Sequence, residues 1–598
     1  MIDRRTLLTT AAAAGAVSAL PNDVHAQDAD GRLDAMLSRW FDDNVDRSPE
    51  LATSLGLDVG ARAGLAGRLS EAGVEEVERE RVRVRERWAT LRDFDTRGLT
   101  GAGRLNYDIA AFSAETAAGS ARFDYGSTLV GGRAGPYVVS QLSGAYFTVP
   151  DFLDSQHRVE DAMGADAFLS RLGAFAEVLD QETGRIQADG AKGVVPSTVI
   201  LSKTLRQIET LRDQPTAEMA MIRGLGRRTT AAGLEGDWAA RATALVDDKV
   251  KPALNRQAEA LKALQPQSSE DVGVWRLPDG EALYAQGLKV FTTTSLTGAE
   301  IHRMGLEQVA EINAAIDAVM KMLGMTQGTV GERVMALNAD PAQLWPNTDE
   351  AKVELIASLN AQVQALKPLL PRVFKNLPKS DVEVRRVPPS IQIGAPGGYY
   401  QGPPLDGSRP GAYYINLRDT ANWPRFALPT LTYHEASPGH HLQIALTREA
   451  GELPLYRRAG GFSAYSEGWA LYAEAVAADD LDVYADNPLG RIGFLMSYLF
   501  RAVRLVVDSG LHHERWGRQQ AIDYMIASGA KPANAAQSEI DRYCVMPGQA
   551  CAYKVGHTVI ARLRAAEQAR PGFDLRDFHD RVLRNGSVPL AVLERQFA

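Results

Sequence analysis

The chain has 598 residues, of which 45% are hydrophobic and 23% are charged, and its formal net charge is −9. These shares are ordinary for a globular protein and are sufficient to form large apolar cores. The modest acidic charge argues against a general affinity for nucleic acid, so we expect no nucleic-acid partner.

Residues 1–26 have the three parts of an export signal. The pair Arg4-Arg5 precedes an apolar stretch from Leu7 to Leu20, and Ala26 ends a small-x-Ala cleavage pattern. The adjacent arginines favour the twin-arginine route, with general secretion as the alternative. The apolar stretch is shorter than the roughly 20 residues that span a bilayer, and no cysteine stands at the cleavage point to carry a lipid. We therefore expect a periplasmic or secreted protein with a cleaved signal and no stable membrane insertion.

Most of the remaining chain repeats apolar residues at a spacing of three and four, which predicts amphipathic helices. The clearest segments are Val74–Leu91, Ala165–Gln187, Thr297–Leu323 and Asp349–Phe374. A Gly-rich patch at Tyr125–Gly144 predicts an extended loop or short strands. Seven of the ten histidines lie between His434 and His579. We therefore expect residues 27–290 to form an N-terminal helical lobe and cleft wall, and residues 291–598 to form a C-terminal catalytic lobe with the metal site.

One region has the composition of β-strands, namely Val382–Val387, Ser390–Ile393, Gly397–Gln401 and Ala412–Leu417. Its β-branched and aromatic runs are separated by Pro and Gly, which predicts a small hairpin sheet. The edge of such a sheet offers unpaired amides to an extended peptide. Tyr399 and Tyr400 are therefore candidate substrate-binding residues, and a purely structural hairpin is the alternative.

The next segment carries the chemistry. His434 and Glu435 begin a pattern like the zincin helix H-E-x-x-H, in which two histidines bind zinc and the Glu is the general base. Pro438 stands where the second histidine would be, and His440 and His441 follow it. Neither histidine fits a straight helix, but Pro-Gly distorts helices, and a bulge of one or two residues would bring His440 beside His434. We predict His434 and His440 as ligands, with His441 as the alternative ligand; a helix cap without metal is the structural alternative.

Catalytic zinc usually takes three protein ligands and leaves one position open for water. The predicted helix Phe462–Ala478 carries Glu467 and Glu474 on one face among aromatic residues. Buried carboxylates are normally paired or metal-bound. We predict Glu467 as the third ligand and Glu474 as the residue that orients a ligating histidine. The alternative for Glu474 is a solvated helix residue.

A further predicted helix, Arg491–Leu511, is apolar nearly all round and therefore buried. Its polar stripe contains Arg501, Arg504, Asp508 and His512. Arg504 and Asp508 can pair at one-turn spacing, and Arg504 is a candidate substrate-binding residue. His512 is a candidate for stabilising an oxyanion, and a satisfied core network is the alternative.

Tyr553, within Met546–Gly556, could donate a hydrogen bond to the same oxyanion. The alternative is a plain core tyrosine. The two cysteines, Cys544 and Cys551, have a Pro-Gly pair between them. An oxidising compartment permits a disulfide between them, and both the bonded and the free state remain open.

Together these motifs resemble the domain-of-unknown-function 885 family of bacterial proteins. Its marks are H-E-x-x-P-G-H-H-x-Q, E-G-W-x-x-Y-x-E, D-x-G-L-H and P-G-Q-x-x-x-Y-x-x-G, which stand here at His434–Gln443, Glu467–Glu474, Asp508–His512 and Pro547–Gly556. The resemblance implies a mainly α-helical, two-lobed metallopeptidase-like fold with a deep cleft, similar to thimet oligopeptidase, carboxypeptidase Taq and angiotensin-converting enzyme. The small β-hairpin sheet would lie beside the active site.

By that likeness His434, His440 and Glu467 hold one zinc ion and Glu435 is the base. The expected function is a zinc-dependent metallopeptidase that cleaves short peptides in the periplasm. A metal-dependent hydrolase of non-peptide amides or esters is one alternative. A catalytically silent binding protein on a peptidase-like scaffold is another. Endopeptidase and exopeptidase action both remain open.

Overall fold

The computed structural model describes residues 22–127, 135–389, 392, 397–405, 407 and 409–598. Helices dominate this part of the chain, as expected. Those of the N-terminal half are α1 (Asn22–Arg47), α2 (Pro49–Leu55), α3 (Val74–Arg92), α4 (Gly101–Ser120), α5 (Ala145–Ser155), α6 (Ala162–Ala191), α7 (Thr198–Asp213), α8 (Ala220–Ala231), α9 (Trp238–Leu245), α10 (Lys251–Lys262) and α11 (Gly280–Thr292).

The helices of the C-terminal half include those that carry the sequence motifs. They are α12 (Gly298–Met322), α13 (Val330–Ala339), α14 (Asp349–Leu366), α15 (Leu428–Glu435), α16 (His440–Glu449), α17 (Leu455–Arg458), α18 (Ser463–Ala475), α19 (Pro488–His512), α20 (Arg518–Ala527), α21 (Ala533–Tyr543), α22 (Ala552–Gln568), α23 (Leu575–Leu583) and α24 (Leu590–Phe597).

The four helices predicted from apolar spacing are confirmed as α3, α6, α12 and α14. Helix α12 begins where the sequence supplies a capping box: the Thr297 side chain accepts from the Glu300 amide, and Glu300 accepts from the Thr297 amide. Helix α14 ends earlier than predicted, at Leu366, and a tighter 3-10 turn follows over Lys367–Arg372. Two prolines in that turn cannot donate the amide bonds that an α-helix needs.

The predicted strands form one small sheet within the described residues, made of β1 (Val382–Arg386), β2 (Gly398–Gln401) and β3 (Gly411–Ile415). The strand order is β1-β3-β2, with β2 antiparallel to β3 and β1 parallel to β3. The sheet is therefore mixed rather than purely a set of hairpins. The predicted run at 390–393 lies outside the described residues except for Gln392.

The Gly-rich patch predicted at 125–144 is described on either side of residues 128–134. Its described part contains two isolated antiparallel bridges, Ser127–Gly135 and Ser140–Ser143, rather than regular strands. This agrees with the extended loop or short strands expected there.

The largest apolar core packs α11, α12, α18, α19 and α22 together. A second core lies among α5–α10, and a third joins the sheet to α14 and α15. Residues of the N-terminal half such as Ile109 and Tyr284 pack into the same core as Trp469. The boundary at residue 290 remains a prediction.

No helix in the described part of the chain combines the length and apolarity needed to cross a bilayer.

Candidate metal centre

The H-E-x-x-P-G-H-H segment folds as two helices rather than as one bulged helix. Helix α15 ends at Glu435 and α16 begins at His440. The Ser437–Pro438 peptide bond between them is cis. A Cβ on Gly439 would lie 2.0 Å from the His434 carbonyl oxygen, so only glycine fits there. The expected bulge is thus wrong in form, but the break still brings His440 back beside His434.

His434, His440 and Glu467 converge on one point. The Glu467 Oε2 atom lies 3.5 Å from His434 Nε2 and 3.3 Å from His440 Nε2. One ligand atom from each residue lies within 4.8 Å of the others. Two imidazole nitrogens and one carboxylate oxygen are a donor set that catalytic zinc sites use. The residues present therefore fit a single zinc ion.

Glu474 fixes the orientation of the first histidine. The His434 Nδ1–H group donates to Glu474 Oε1 at 2.8 Å, and the Glu474 side chain is fully buried. This bond leaves His434 Nε2 pointing toward Glu467 and its lone pair free for a ligand. The solvated alternative for Glu474 is wrong, and the orienting contact that metal-binding histidines usually have is present.

The electrostatics of the centre favour positive charge. Burial lowers the pKa of His434, but hydrogen bonds to Glu467 and Glu474 outweigh it and raise the pKa to about 9. Burial would raise the pKa of Glu467, but the two histidines hold it well below its usual range. The raised pKa of His434 favours its protonated form beside these two carboxylates.

Glu435 lies beside this triad with its carboxylate unengaged. It is buried and accepts no hydrogen bond from the described residues. Burial raises its pKa above the usual range, while His440 and His434 act in the opposite direction. Its charge interactions with both histidines and Glu467 place it within the same site, where a carboxylate can accept a proton.

Tyr553 comes within range of the Glu467 charge because α18 and α22 touch through glycines. A Cβ on Gly468 would lie 2.4 Å from the backbone of Gly556, so the two helices cross in direct contact. Glu467 precedes Gly468, and Tyr553 lies one turn before Gly556. Burial raises the pKa of the Tyr553 hydroxyl, and the Glu467 carboxylate raises it further.

Residues 49–597 match the family model described as bacterial protein of unknown function, DUF885. The chain belongs to the DUF885 family. That membership, expected from four motifs, is confirmed over most of the chain. No curated protein matches this chain.

Two solved structures share this DUF885 fold, and each is described as a "putative lipoprotein". The one from Colwellia psychrerythraea is 33% identical, with a TM-score of 0.89 over 96% of this chain and 98% of its own. The one from Shewanella oneidensis, described as of unknown function, is 16% identical, with a TM-score of 0.68 over 93% of this chain and 98% of its own. The second likeness concerns the fold alone.

The second histidine of the DUF885 His-His pair points away from the centre. His441 Nε2–H donates to the Ser380 carbonyl at 3.0 Å, and Nδ1 accepts from the Tyr400 hydroxyl at 2.9 Å. Burial lowers the pKa of His441 to about 4. Both nitrogens are occupied, so the alternative ligand His441 is not placed to bind the metal.

The predicted substrate-binding tyrosines lie on opposite faces of β2. Tyr400 is engaged with His441 on the buried face, which gives it a structural contact. Tyr399 is half-buried and stacks on Tyr414 of β3, with ring centroids 5.1 Å apart. Tyr399 therefore remains the candidate of the two that could face a substrate.

The prediction for His512 is corrected. Its Nδ1 accepts from the Val274 amide at 3.2 Å and its Nε2–H donates to the Tyr543 carbonyl at 3.1 Å. It has no free ring nitrogen to offer an oxyanion, and the core-network alternative is the one observed.

The predicted pairing of Arg504 with Asp508 is also absent. Asp508 instead accepts from the Tyr284 hydroxyl at 2.9 Å and from the Gly548 amide at 3.0 Å. Arg504 donates to Glu539 Oε2 at 3.0 Å. Helical spacing identified the shared face but not the partners that other elements bring to it.

The cysteines are free and both are buried. Cys544 donates to the Ile540 carbonyl, and Cys551 points toward Asp508. The disulfide alternative is therefore wrong.

Two residues near the centre were missed from the sequence. The Tyr413 hydroxyl is buried without a hydrogen-bond partner among the described residues, and its pKa is raised by burial and by the Glu435 carboxylate. Lys531 comes close to the stripe of α19 from the loop after α20, with its ammonium 4.4 Å from the Phe500 ring centroid. Tyr413 lies in the predicted strand Ala412–Leu417, but strand composition does not mark a functional hydroxyl, and Lys531 stands in no motif.

Proposed function

We propose that this DUF885 protein is a zinc-dependent metallopeptidase that acts on short peptides. The observation that carries the proposal is the convergence of His434, His440 and Glu467 on one point, with the unengaged Glu435 carboxylate beside them. Three ligands and an adjacent general base are the parts that such hydrolases need. The proposal includes a two-lobed, metallopeptidase-like arrangement with a substrate cleft.

The residues divide the chemistry among themselves. His434, His440 and Glu467 would hold the zinc ion, which would supply a Lewis acid for activating water and polarising the scissile carbonyl. Glu435 accepts the proton of the attacking water and delivers it to the leaving nitrogen. The Tyr553 hydroxyl donates to the oxygen on which negative charge develops. Glu474 keeps the His434 ring in the tautomer that leaves Nε2 free.

We also propose that the protein is exported. The supporting observations are the signal-like pattern over residues 1–26 and the likeness to the Colwellia psychrerythraea structure, which is described as a "putative lipoprotein". The twin-arginine route stays part of this proposal. Detection of the mature chain in a periplasmic fraction, and its loss when Arg4-Arg5 is replaced by Lys-Lys, would test it.

The decisive experiment joins metal content to turnover. Purified protein should hold about one zinc per chain and should cleave members of a pool of short peptides. Glu435→Gln should keep the zinc and lose turnover by at least about 10²-fold, because general base catalysis contributes about 10²–10⁴-fold. Glu452→Gln, an exposed carboxylate of the loop after α16, is the matched control and should behave as the wild type.

Full peptidase activity in Glu435→Gln would overturn the assignment of the base. Cleavage of amide or ester panels without peptide cleavage would favour the non-peptide hydrolase. Zinc-free protein without any turnover would favour the silent binding protein.

A further inference from the structure

Beside the metal centre, three cationic side chains gather around one aromatic ring. The guanidinium carbon of Arg504 lies 4.3 Å from the Phe500 ring centroid, that of Arg501 lies 5.4 Å away, and the Lys531 ammonium lies 4.4 Å away. We call Arg501, Arg504, Lys531 and Phe500 the cationic pocket. Two elements build it: α19 supplies the arginines and Phe500, and the loop after α20 supplies Lys531.

The charges of this pocket are not balanced by its own carboxylate. Glu539 Oε2 accepts at 3.0 Å from Arg504, at 3.0 Å from Arg542 and at 2.6 Å from the Tyr543 hydroxyl. Burial opposes ionisation of Glu539, but Arg542 and Arg504 hold its pKa well below its usual range. One carboxylate therefore serves two arginines, and Arg501 and Lys531 are left without an ion pair among the described residues.

Several donors of the pocket are unused. Arg504 is 6% exposed, yet its Nη1 is buried with no partner among the described residues. The Nε atom of Arg501 is also buried without a partner among the described residues, although the Nη1 atom of Arg501 donates to the Ser497 hydroxyl at 2.6 Å. Burial lowers the pKa of Lys531 to about 8, with Arg501 and Arg504 lowering it and Glu539 opposing them. Buried cationic donors in this state are costly unless an anion joins them.

The pocket adjoins the residues proposed to catalyse. The Arg504 guanidinium carbon lies 4.4 Å from the ring centroid of Tyr553. Glu467 and Glu474 are engaged with His434 and His440, so these carboxylates do not supply the missing anion. An anion bound in the pocket would therefore lie only a few substrate residues away from the peptide bond that is cleaved.

We propose that the cationic pocket binds the free carboxylate at the C-terminus of a peptide substrate, which makes the protein a carboxyl-end exopeptidase. This inference rests on the proposed metallopeptidase function. A planar carboxylate suits the paired N–H groups of a guanidinium. A pocket that requires the terminal carboxylate fixes the distance from the peptide end to the scissile bond, and it would exclude internal segments of folded proteins.

The test compares three forms of one short peptide. One form has a free C-terminal carboxylate, the second has a C-terminal amide, and the third is the amide with a glutamate at its last position. The free acid should be cleaved with a kcat/KM at least tenfold above that of both amides. Equal kcat/KM values for the free acid and the plain amide would contradict the proposal that the pocket binds the terminal carboxylate. Recovery in the glutamate amide would mean that an acidic side chain, not the chain terminus, is recognised.

A variant that removes the charge of Lys531 tests whether this pocket causes the preference for the free acid. Lys531→Met keeps an unbranched side chain but removes the charge, and it should raise KM for the free acid at least fivefold more than it raises KM for the amide, with the zinc content unchanged. Lys531→Arg should restore most of the preference. Lys249→Met, an exposed lysine in the N-terminal half, is the matched control. An unchanged preference in Lys531→Met would contradict the assignment.

A binding measurement separates this inference from the proposed function. Calorimetry with Glu435→Gln and the first two peptides needs no turnover. Suppose that the free acid binds more tightly than the amide but the wild-type protein cleaves neither peptide. That result would contradict the peptidase function and support the carboxylate site. Equal binding of the two peptides would sink the carboxylate site whatever the wild type cleaves.

Discussion

Neighbouring histidines in this protein have opposite surroundings. His440 turns its Nε2 toward Glu467 and leaves Nδ1 buried without a partner among the described residues. His441, one residue on, has both ring nitrogens engaged by Tyr400 and Ser380. The two residues share the start of α16, so they can be exchanged for alanine at closely similar backbone positions. That makes them a matched pair for testing which histidine binds metal.

We expect His440→Ala to lose most of its zinc, because only two of the three proposed ligands would remain. His441→Ala should keep about one zinc per chain, although it should be less stable because two buried hydrogen bonds are lost. Zinc affinity measured by competition with a chelator, with folding checked by circular dichroism, distinguishes the two variants. Loss of zinc from folded His441→Ala with retention in His440→Ala would reverse the ligand assignment.

At the residue scale, the sequence predicted the side chains whose spacing alone defines their chemistry. His434, Glu435, Glu467 and Glu474 lie close together as expected. It failed for His512, because helical spacing shows which residues share a face but not what packs against that face. The Val274 amide and the Tyr543 carbonyl that bind His512 come from distant parts of the chain.

At the scale of elements, helices α18 and α22 cross near the metal centre so closely that no side chain fits at the point of contact. A Cβ on Gly556 would lie 1.9 Å from the Ala464 carbonyl oxygen, and one on Gly468 would lie 2.5 Å from the Gly556 Cα atom. Both glycines stand in motifs that the sequence had identified, but the motifs did not reveal that the two helices touch there. The contact is what brings Tyr553 toward Glu467.

We expect Gly556→Ala to destabilise the protein by about 1–3 kcal/mol or more, because overpacking forces the helices apart. Activity should fall with it, since Tyr553 would move away from the centre. Gly173→Ala is the matched control: Gly173 lies inside α6 with nothing within 4 Å of an added Cβ, and alanine there should stabilise by about 0.5–1 kcal/mol. Thermal unfolding measures both variants, and an unchanged melting temperature in Gly556→Ala would contradict the close crossing.

The sheet marks the limit of sequence reasoning for elements. The three strands were found where their composition placed them, within one or two residues. The parallel pairing of β1 with β3 was not expected, because local composition identifies strands without naming their partners. The pairing follows from the fold, since the buried faces of β1 and β3 both pack into the core shared with α14 and α15.

At the scale of the whole molecule, the free energy of unfolding should depend on pH through two buried groups of α19, one basic and one acidic. Burial lowers the pKa of His512 to about 4, below its ordinary 6.5. Burial raises the pKa of Asp508 to about 7, above its ordinary 3.8, although its hydrogen bonds to Tyr284, Cys551 and the Gly548 amide reduce the rise. Between those values, the unfolded chain binds the extra proton at His512, and the folded chain binds it at Asp508.

Both groups make the free energy of unfolding depend on pH. Neutral His512 contributes stability that is fully present above pH 6.5 and is lost as the pH falls toward about 4. Protonated Asp508 contributes stability that is present below pH 3.8 and is lost as the pH rises through about 7. Each group changes the pH slope of the unfolding free energy by at most about 1.4 kcal/mol per pH unit, and the two effects offset each other in the wild type.

Replacing His512 or Asp508 alone should therefore change the pH dependence of the free energy of unfolding, in opposite directions for the two variants. His512→Gln removes a contribution that rises with pH, so its stability should increase less with pH between about 4 and 6.5 than that of the wild type. Asp508→Asn removes a contribution that falls with pH, so its stability should increase more. Urea midpoints measured from pH 4.5 to 7 provide the comparison, and the slope rather than the absolute midpoint is decisive, because both variants lose buried contacts at every pH. Tilts in the same direction would mean that at least one of these groups is buried in the other charge state.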